Sequence, residues 1–263
     1  MIDDRKGLSC DPDILCVGFN IGKGILLDEK IYYRQTADDI PKISHDFVKL
    51  LYAEVKDLRY FSAERCREKQ GSVKYDFQVE SIEGWRKAKA FLRGNPAVFD
   101  EELVNRIEEI PWLYTMFTTL AVRISDQTGI EKLVLYYRRL PEERACVQPH
   151  LERMLPSESA HQCAAMMKLM HGNGAWVRLV ALDFDSQRCR LKVYFETEDP
   201  SLINLICDKG IEPENRAPLL RVMEYASENQ LRFGGIAIVM DIKSNDIRYN
   251  LYFAQEIQSG VIE

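Results

Sequence analysis

Apolar and polar residues alternate with period two along five stretches of the chain. Between them the apolar period lengthens towards 3.6. The clearest stretch is Arg190-Leu191-Lys192-Val193-Tyr194-Phe195. On an extended strand Leu191, Val193 and Phe195 share one face, while Arg190, Lys192 and Tyr194 share the other. Four relatives occur at Lys30 to Arg34, Lys74 to Gln78, Lys132 to Arg138 and Arg248 to Phe253. Aligned on Tyr194, they place Tyr32, Asp76, Tyr136 and Tyr252 at the equivalent position, and the last three intervals are each about 60 residues.

A second apolar run precedes each of these strands: Ile14 to Phe19, Leu58 to Ser62, Leu120 to Ile124, Trp176 to Phe184 and Ile236 to Met240. A polar or glycine-bearing turn separates the two runs in each pair, so the pattern predicts five β-hairpins. The fourth and fifth match most closely, with Val180-Ala-Leu-Asp183-Phe set against Ile238-Val-Met-Asp241-Ile. Helical periodicity follows the hairpins. A helix is expected after Pro41, with Ile43, Phe47, Leu50 and Leu51 on one stripe. Others are expected over Ile82 to Phe91, Val98 to Ile110, Pro141 to Leu155, Ser157 to Met170 (closed by Gly172), Pro200 to Cys207 and Ala217 to Asn229. The predicted unit is strand, strand, helix, helix, used five times in a single α+β domain over residues 1–263 with no internal linker.

In every second strand one face is large and apolar, as in Tyr75 with Phe77, Leu133 with Leu135 and Tyr137, or Tyr249 with Leu251 and Phe253. That face is expected to receive the helices. Ten antiparallel strands covered on one side can stay open or curl shut, and closure removes the edges. The expectation is a closed ten-stranded antiparallel β-barrel of five ββαα repeats, wide enough for a ligand, with the mixed faces lining its lumen.

Composition narrows the function. With 46% hydrophobic and 29% charged residues the chain has the makeup of a folded protein, and disorder is excluded. The net charge of -6 supplies no global field for nucleic acid, so cationic chemistry must be local and enclosed. Seven cysteines, none in a CxxC pair, read as reduced thiols. Met1 to Asp13 lacks the apolar core of a signal peptide, and no stretch has the length of a membrane span, so a cytoplasmic protein without membrane contact is expected. Gly18-Phe-Asn-Ile-Gly22-Lys23-Gly24 has the wrong spacing for a phosphate loop and reads as a hairpin turn. His161 and Cys163 lack a second pair of metal ligands, and Met166, Met167 and Met170 beside His171 read as helix packing.

Five hairpins, each followed by helices, with Lys/Arg and Tyr alternating on one strand face, resemble the aromatic prenyltransferases of the ABBA barrel type, which include dimethylallyltryptophan synthases and cyanobactin peptide prenyltransferases. The closest local match runs from Leu182-Asp183-Phe184 through Arg190-Leu-Lys192-Val-Tyr194-Phe195, similar to the family's Arg-x-Lys-x-Tyr strand. The resemblance implies transfer of a short isoprenyl group, dimethylallyl first, from its diphosphate to an indole, phenol or peptide side chain. It implies Lys30, Lys74, Arg190, Lys192 and Arg248 as diphosphate ligands and Tyr32, Tyr136, Tyr194 and Tyr252 as the shield of the allyl cation. Glu64 is the candidate base if the second hairpin is the family's first repeat, and Asp76, in Tyr75-Asp76-Phe77, is the candidate second catalytic carboxylate and a position for Mg2+. No cofactor is required by this reading, and magnesium is compatible with it. Two alternatives remain open from the residues: a noncatalytic ligand- or peptide-binding barrel of the same fold, and a pentein-type enzyme using a cysteine with a histidine partner.

Overall fold

The computed structural model describes residues 14–22, 25–33, 46–55, 58–65, 72–94, 99–110, 113–125, 129–139, 148–197, 201–202, 204, 213–229 and 231–255. All five hairpins form. They are β1 (Ile14–Gly22) with β2 (Ile25–Tyr33), β3 (Leu58–Arg65) with β4 (Ser72–Val79), and β5 (Leu113–Ser125) with β6 (Gly129–Arg139). Then come β7 (Trp176–Asp185) with β8 (Cys189–Glu196), and β9 (Leu231–Asp241) with β10 (Ile247–Gln255). The described helices are α1 (Asp46–Glu54), α2 (Ile82–Leu92), α3 (Glu101–Glu108), α4 (Gln148–Glu152), α5 (Ser157–Gly172) and α6 (Pro213–Glu228).

The closed barrel does not form. The strands make a single antiparallel sheet in the order β2-β1-β10-β9-β8-β7-β6-β5-β4-β3, with β2 and β3 as its two edges and no pairing between them among the described residues. Every sequential pair is joined except that one, and β1 pairs instead with β10, Cys16 lying opposite Ala254. The helical layer departs from a strict repeat as well. Two helices follow β4 and two follow β6, whereas a single described helix follows β2. Pro41, Ile43, residues 141–147 and most of 200–207 lie outside the described residues. In α1 it is Val48 and Leu51 that are buried, while Leu50 faces outward. The buried stripe of α1 is centred on Val48 and Leu51, three residues apart, and Leu50 falls on its outer side.

The sheet is nonetheless strongly curled. Lys74 on β4 and Asn250 and Tyr252 on β10 line the same cavity. In a flat sheet these strands would stand about 29 Å apart, at 4.7–4.9 Å per strand. One face packs against the helices, and there the alternation read from sequence is realised. Tyr75, Phe77, Leu133, Leu135, Tyr137, Leu191, Val193, Phe195, Tyr249, Leu251 and Phe253 are all buried. Each such side chain contributes about 1.5–3 kcal/mol relative to exposure. α2 and α3 are pinned to each other by Glu108, whose Oε1 accepts from Trp85 Nε1 and whose Oε2 accepts from Lys89 Nζ, both at 2.5 Å. Phe19, Phe253 and Tyr225 make edge-to-face contacts that join β1 and β10 to α6.

Candidate anion-binding site

The register brings the polar residues of the concave face into rows that cross the strands. Lys74 on β4 lies opposite Arg123 on β5, and Arg123 lies opposite Lys132 on β6. Three cations therefore stand side by side on adjacent strands, with Asp185 on β7 next in the row and Glu64 on β3 at its other end. Like charges directly opposite destabilise a sheet unless carboxylates are set among them. One position along, the row reads Asp76, Ala121, Val134, Asp183, Arg190 and Asp241 from β4 to β9. Small residues on β5 and β6 leave room there, and the long lysine side chains of the first row reach across it.

Asp183 is the hub, with 1% exposure. Its Oδ2 lies 2.5 Å from Lys192 Nζ and 2.6 Å from Lys132 Nζ, and its Oδ1 lies 3.7 Å from the Arg190 guanidinium. Neither oxygen has a well-angled hydrogen bond, so the ammonium groups hold it through close approach of charge. Burial opposes ionisation of this carboxyl, but Lys192 and Lys132 outweigh burial and keep it well below the usual carboxylate range. Arg190 also donates to Asp185 Oδ2 at 2.8 Å, and Lys74 Nζ is 2.9 Å from Asp76 Oδ1. Arg123 differs. Its Nε is buried with no hydrogen-bond partner, and no carboxylate pairs with it among the described residues.

Beside the cations runs an aromatic row. The ring centroids of Tyr136 and Tyr194 are 6.2 Å apart, and those of Tyr194 and Tyr252 are 6.0 Å apart and stacked. Lys74 Nζ sits 6.0 Å above the Tyr136 ring. Asn250 Nδ2 donates to Tyr252 Oη at 3.3 Å. Burial pushes the phenols of Tyr194 and Tyr252 well above their ordinary range, so they remain neutral donors and aromatic faces rather than bases. Under Tyr136 and Tyr194 lies a small apolar cluster of Ala121, Val134 and Ala181. The cavity these side chains enclose holds about 30 Å³, room for about two waters. A larger ligand must part the lysine and tyrosine side chains to enter.

Of the residues expected from sequence, Lys74, Lys192, Tyr136, Tyr194 and Tyr252 line this cavity together. Arg190 stands behind it on Asp183 and Asp185. Arg248 is not brought in: its guanidinium is held by Asp246 at 2.7 and 3.0 Å, and its side chain lies against Gly22. Asp76 is 4% exposed and occupied by Lys74, so it is neither an open base nor half of a metal site. Among the described residues no group of three or more His, Cys, Asp or Glu could hold a metal, and with Lys74 on Asp76 the residues present do not fit Mg2+. Glu64 on β3 and Lys30 and Tyr32 on β2 belong to strands whose pairing is described, but their side chains lie outside the described residues. Burial pushes the thiol of Cys163 up to about 12 and that of Cys189 higher still, opposite to what a nucleophilic cysteine needs.

Arg123, Lys132, Asp183 and Asn250 carry much of the site without having been assigned roles from the sequence. Arg123 and Asp183 lie on the first strands of their hairpins, where attention to the second strands alone passes over them. The signal was present in the alternation Leu120-Ala121-Val122-Arg123-Ile124, which puts Arg123 on the face opposite the helices. No protein-family model matches the chain, and a search of curated proteins finds no relative. Among the described residues no helix is long and apolar enough to cross a membrane.

Proposed function

We propose that the protein binds an allylic diphosphate on its concave face and transfers the short isoprenyl group, dimethylallyl first, to an aromatic acceptor. The observation that carries this reading is the row Lys74, Arg123 and Lys132, three cations set opposite one another beside a row of tyrosines. A diphosphate offers the counter-charge that Arg123 lacks among the described residues, and in a poorly hydrated enclosure each contact gains strength. The reading rests on the chemistry of the site and does not depend on a closed barrel.

In the proposed reaction the carbon–oxygen bond of the allylic diphosphate breaks, and its electron pair leaves with the diphosphate. Lys74, Arg123, Lys132 and Lys192 take up the charge that develops on the departing oxygens. The allyl cation passes between the faces of Tyr136, Tyr194 and Tyr252, which stabilise it and keep water away. A ring carbon of the acceptor supplies the electrons of the new carbon–carbon bond. The proton displaced from that carbon goes to the released diphosphate, so charge and atoms balance without a resident base.

Incubation with radiolabelled dimethylallyl and geranyl diphosphates, together with indole, phenol and Trp- or Tyr-containing peptides, tests the proposal. Labelled acceptor, or labelled prenyl alcohol from hydrolysis, is the expected outcome. Diphosphate binding without transfer or hydrolysis would leave a binding protein, and absence of both would remove the reading altogether.

A further inference from the structure

We propose that Asn250 is the hydrogen-bond acceptor that orients an aromatic substrate through a ring N–H or O–H group. The inference rests on the transfer reading above for the identity of the substrate, and adds to it the polar contact that fixes how the ring lies. Asn250 is 8% exposed and lines the cavity beside Tyr194 and Tyr252. Its amide nitrogen is committed to Tyr252 Oη, whereas its Oδ1 is buried with no hydrogen-bond partner among the described residues.

The Asn250 amide presents Nδ2 to the Tyr252 hydroxyl at 3.3 Å, and its Oδ1 meets no donor among the described residues. A buried acceptor without a donor is uncommon in folded proteins and calls for an explanation. A donor entering from the cavity supplies one.

The walls define which donor. Lys74, Arg123 and Lys132 belong to β4, β5 and β6, across the cavity from β10, and they favour an anion. Around Asn250 the walls are the stacked rings of Tyr194 and Tyr252, which favour a flat, neutral group. A ring carrying an N–H or O–H at its edge satisfies both the rings and the amide. Because an amide oxygen accepts a hydrogen bond without removing the proton, it would fix the ring in place while a ring carbon attacks. Asn250 is in this sense a positioning residue for the acceptor.

Calorimetric titration of the full chain, saturated with inorganic pyrophosphate, with indole, 3-methylindole and 1-methylindole tests the inference. The two methylindoles have the same volume, and only 1-methylindole lacks the N–H. Wild-type protein is expected to bind 3-methylindole at least tenfold more tightly than 1-methylindole. Asn250→Leu should erase the preference, and Asn250→Asp, which keeps an acceptor oxygen, should restore it. Equal affinities in the wild type, no binding of any indole, or a preference that survives Asn250→Leu would overturn the inference. The wild-type comparison stands even if a variant does not fold. Indole selection through Asn250 with no prenyl transfer would remove only the catalytic reading. Transfer with selectivity unchanged in Asn250→Leu would remove only the role of Asn250.

Discussion

Arg123 is flanked on both sides by lysines and has no carboxylate of its own among the described residues. Its contributions to folding and to binding therefore have opposite signs. Arg123→Gln relieves like-charge repulsion across β4, β5 and β6, so the melting temperature should hold or rise slightly. The same change should weaken pyrophosphate binding by about tenfold or more, as expected for loss of a charge-assisted contact in an enclosed site. Calorimetry and thermal unfolding of the one variant read both effects, and a fall in stability with unchanged affinity would place Arg123 in the packing instead. Asp183 should behave in the opposite way. Removing it in Asp183→Asn leaves the buried Lys192 and the half-buried Lys132 beside a neutral amide and should cost about 3–5 kcal/mol in denaturant unfolding. The native carboxyl is depressed relative to the unfolded value near 4, so its contribution is complete above that pH and is lost as pH falls further. Wild-type stability should accordingly decline below about pH 4, and Asp183→Asn should lack that part of the decline. Side-chain direction on the second strands was legible from alternation alone, which is why Lys74, Lys192 and the three tyrosines meet as expected. Which cations stand opposite which was not, because it depends on the register shift beside Arg123 in the β5–β6 hairpin and on the pairing of β4 with β5, far apart in sequence.

At the scale of elements, the turn chemistry explains both a success and an error. The hairpins were legible because each pairs two alternating runs across a polar turn. The closest repeat, however, is out of phase by two residues when Asp183 is matched with Asp241. In the structure Asp241 ends β9 and its Oδ1 accepts from the amides of Lys243 and Ser244. Asp185 does the same at the end of β7, accepting from Gln187 and Arg188. Asp183 is left without a counterpart in this match, and it is the residue that gathers the cations. Helix ends follow local rules. Ser81 Oγ accepts from the Gly84 amide at the start of α2, so Ser81→Ala should cost about 1 kcal/mol of stability. α5 runs through Gly172, where composition suggested a stop, and the chain turns at Gly174, with φ +81°. No neighbouring atom would meet an added Cβ there, so the cost of Gly174→Ala is the backbone strain alone, about 1–2 kcal/mol by chemical denaturation.

For the whole molecule, five hairpins arranged around one polar face could be read from the sequence, and the way they join could not. Periodicity says which face of a strand is apolar, but nothing in it decides whether the two outermost strands meet. The sheet parts between β2 and β3, within the chain, while its first and last strands are neighbours. This pairing orders events in time. Hairpins β3–β4 to β9–β10 can each add to the one before as it emerges, but the β1 edge of the first hairpin has no neighbour until β10 exists. The β1–β2 hairpin is therefore synthesised first and docked last, and its pairing carries the largest loop-closure cost in the sheet. During refolding, pulse-labelled hydrogen exchange should find the amides shared by β1 and β10 protected after those of β5 to β8. While it waits, the hairpin's unsatisfied edge is open to β10 of another molecule, and dilution during refolding should raise the yield of monomer.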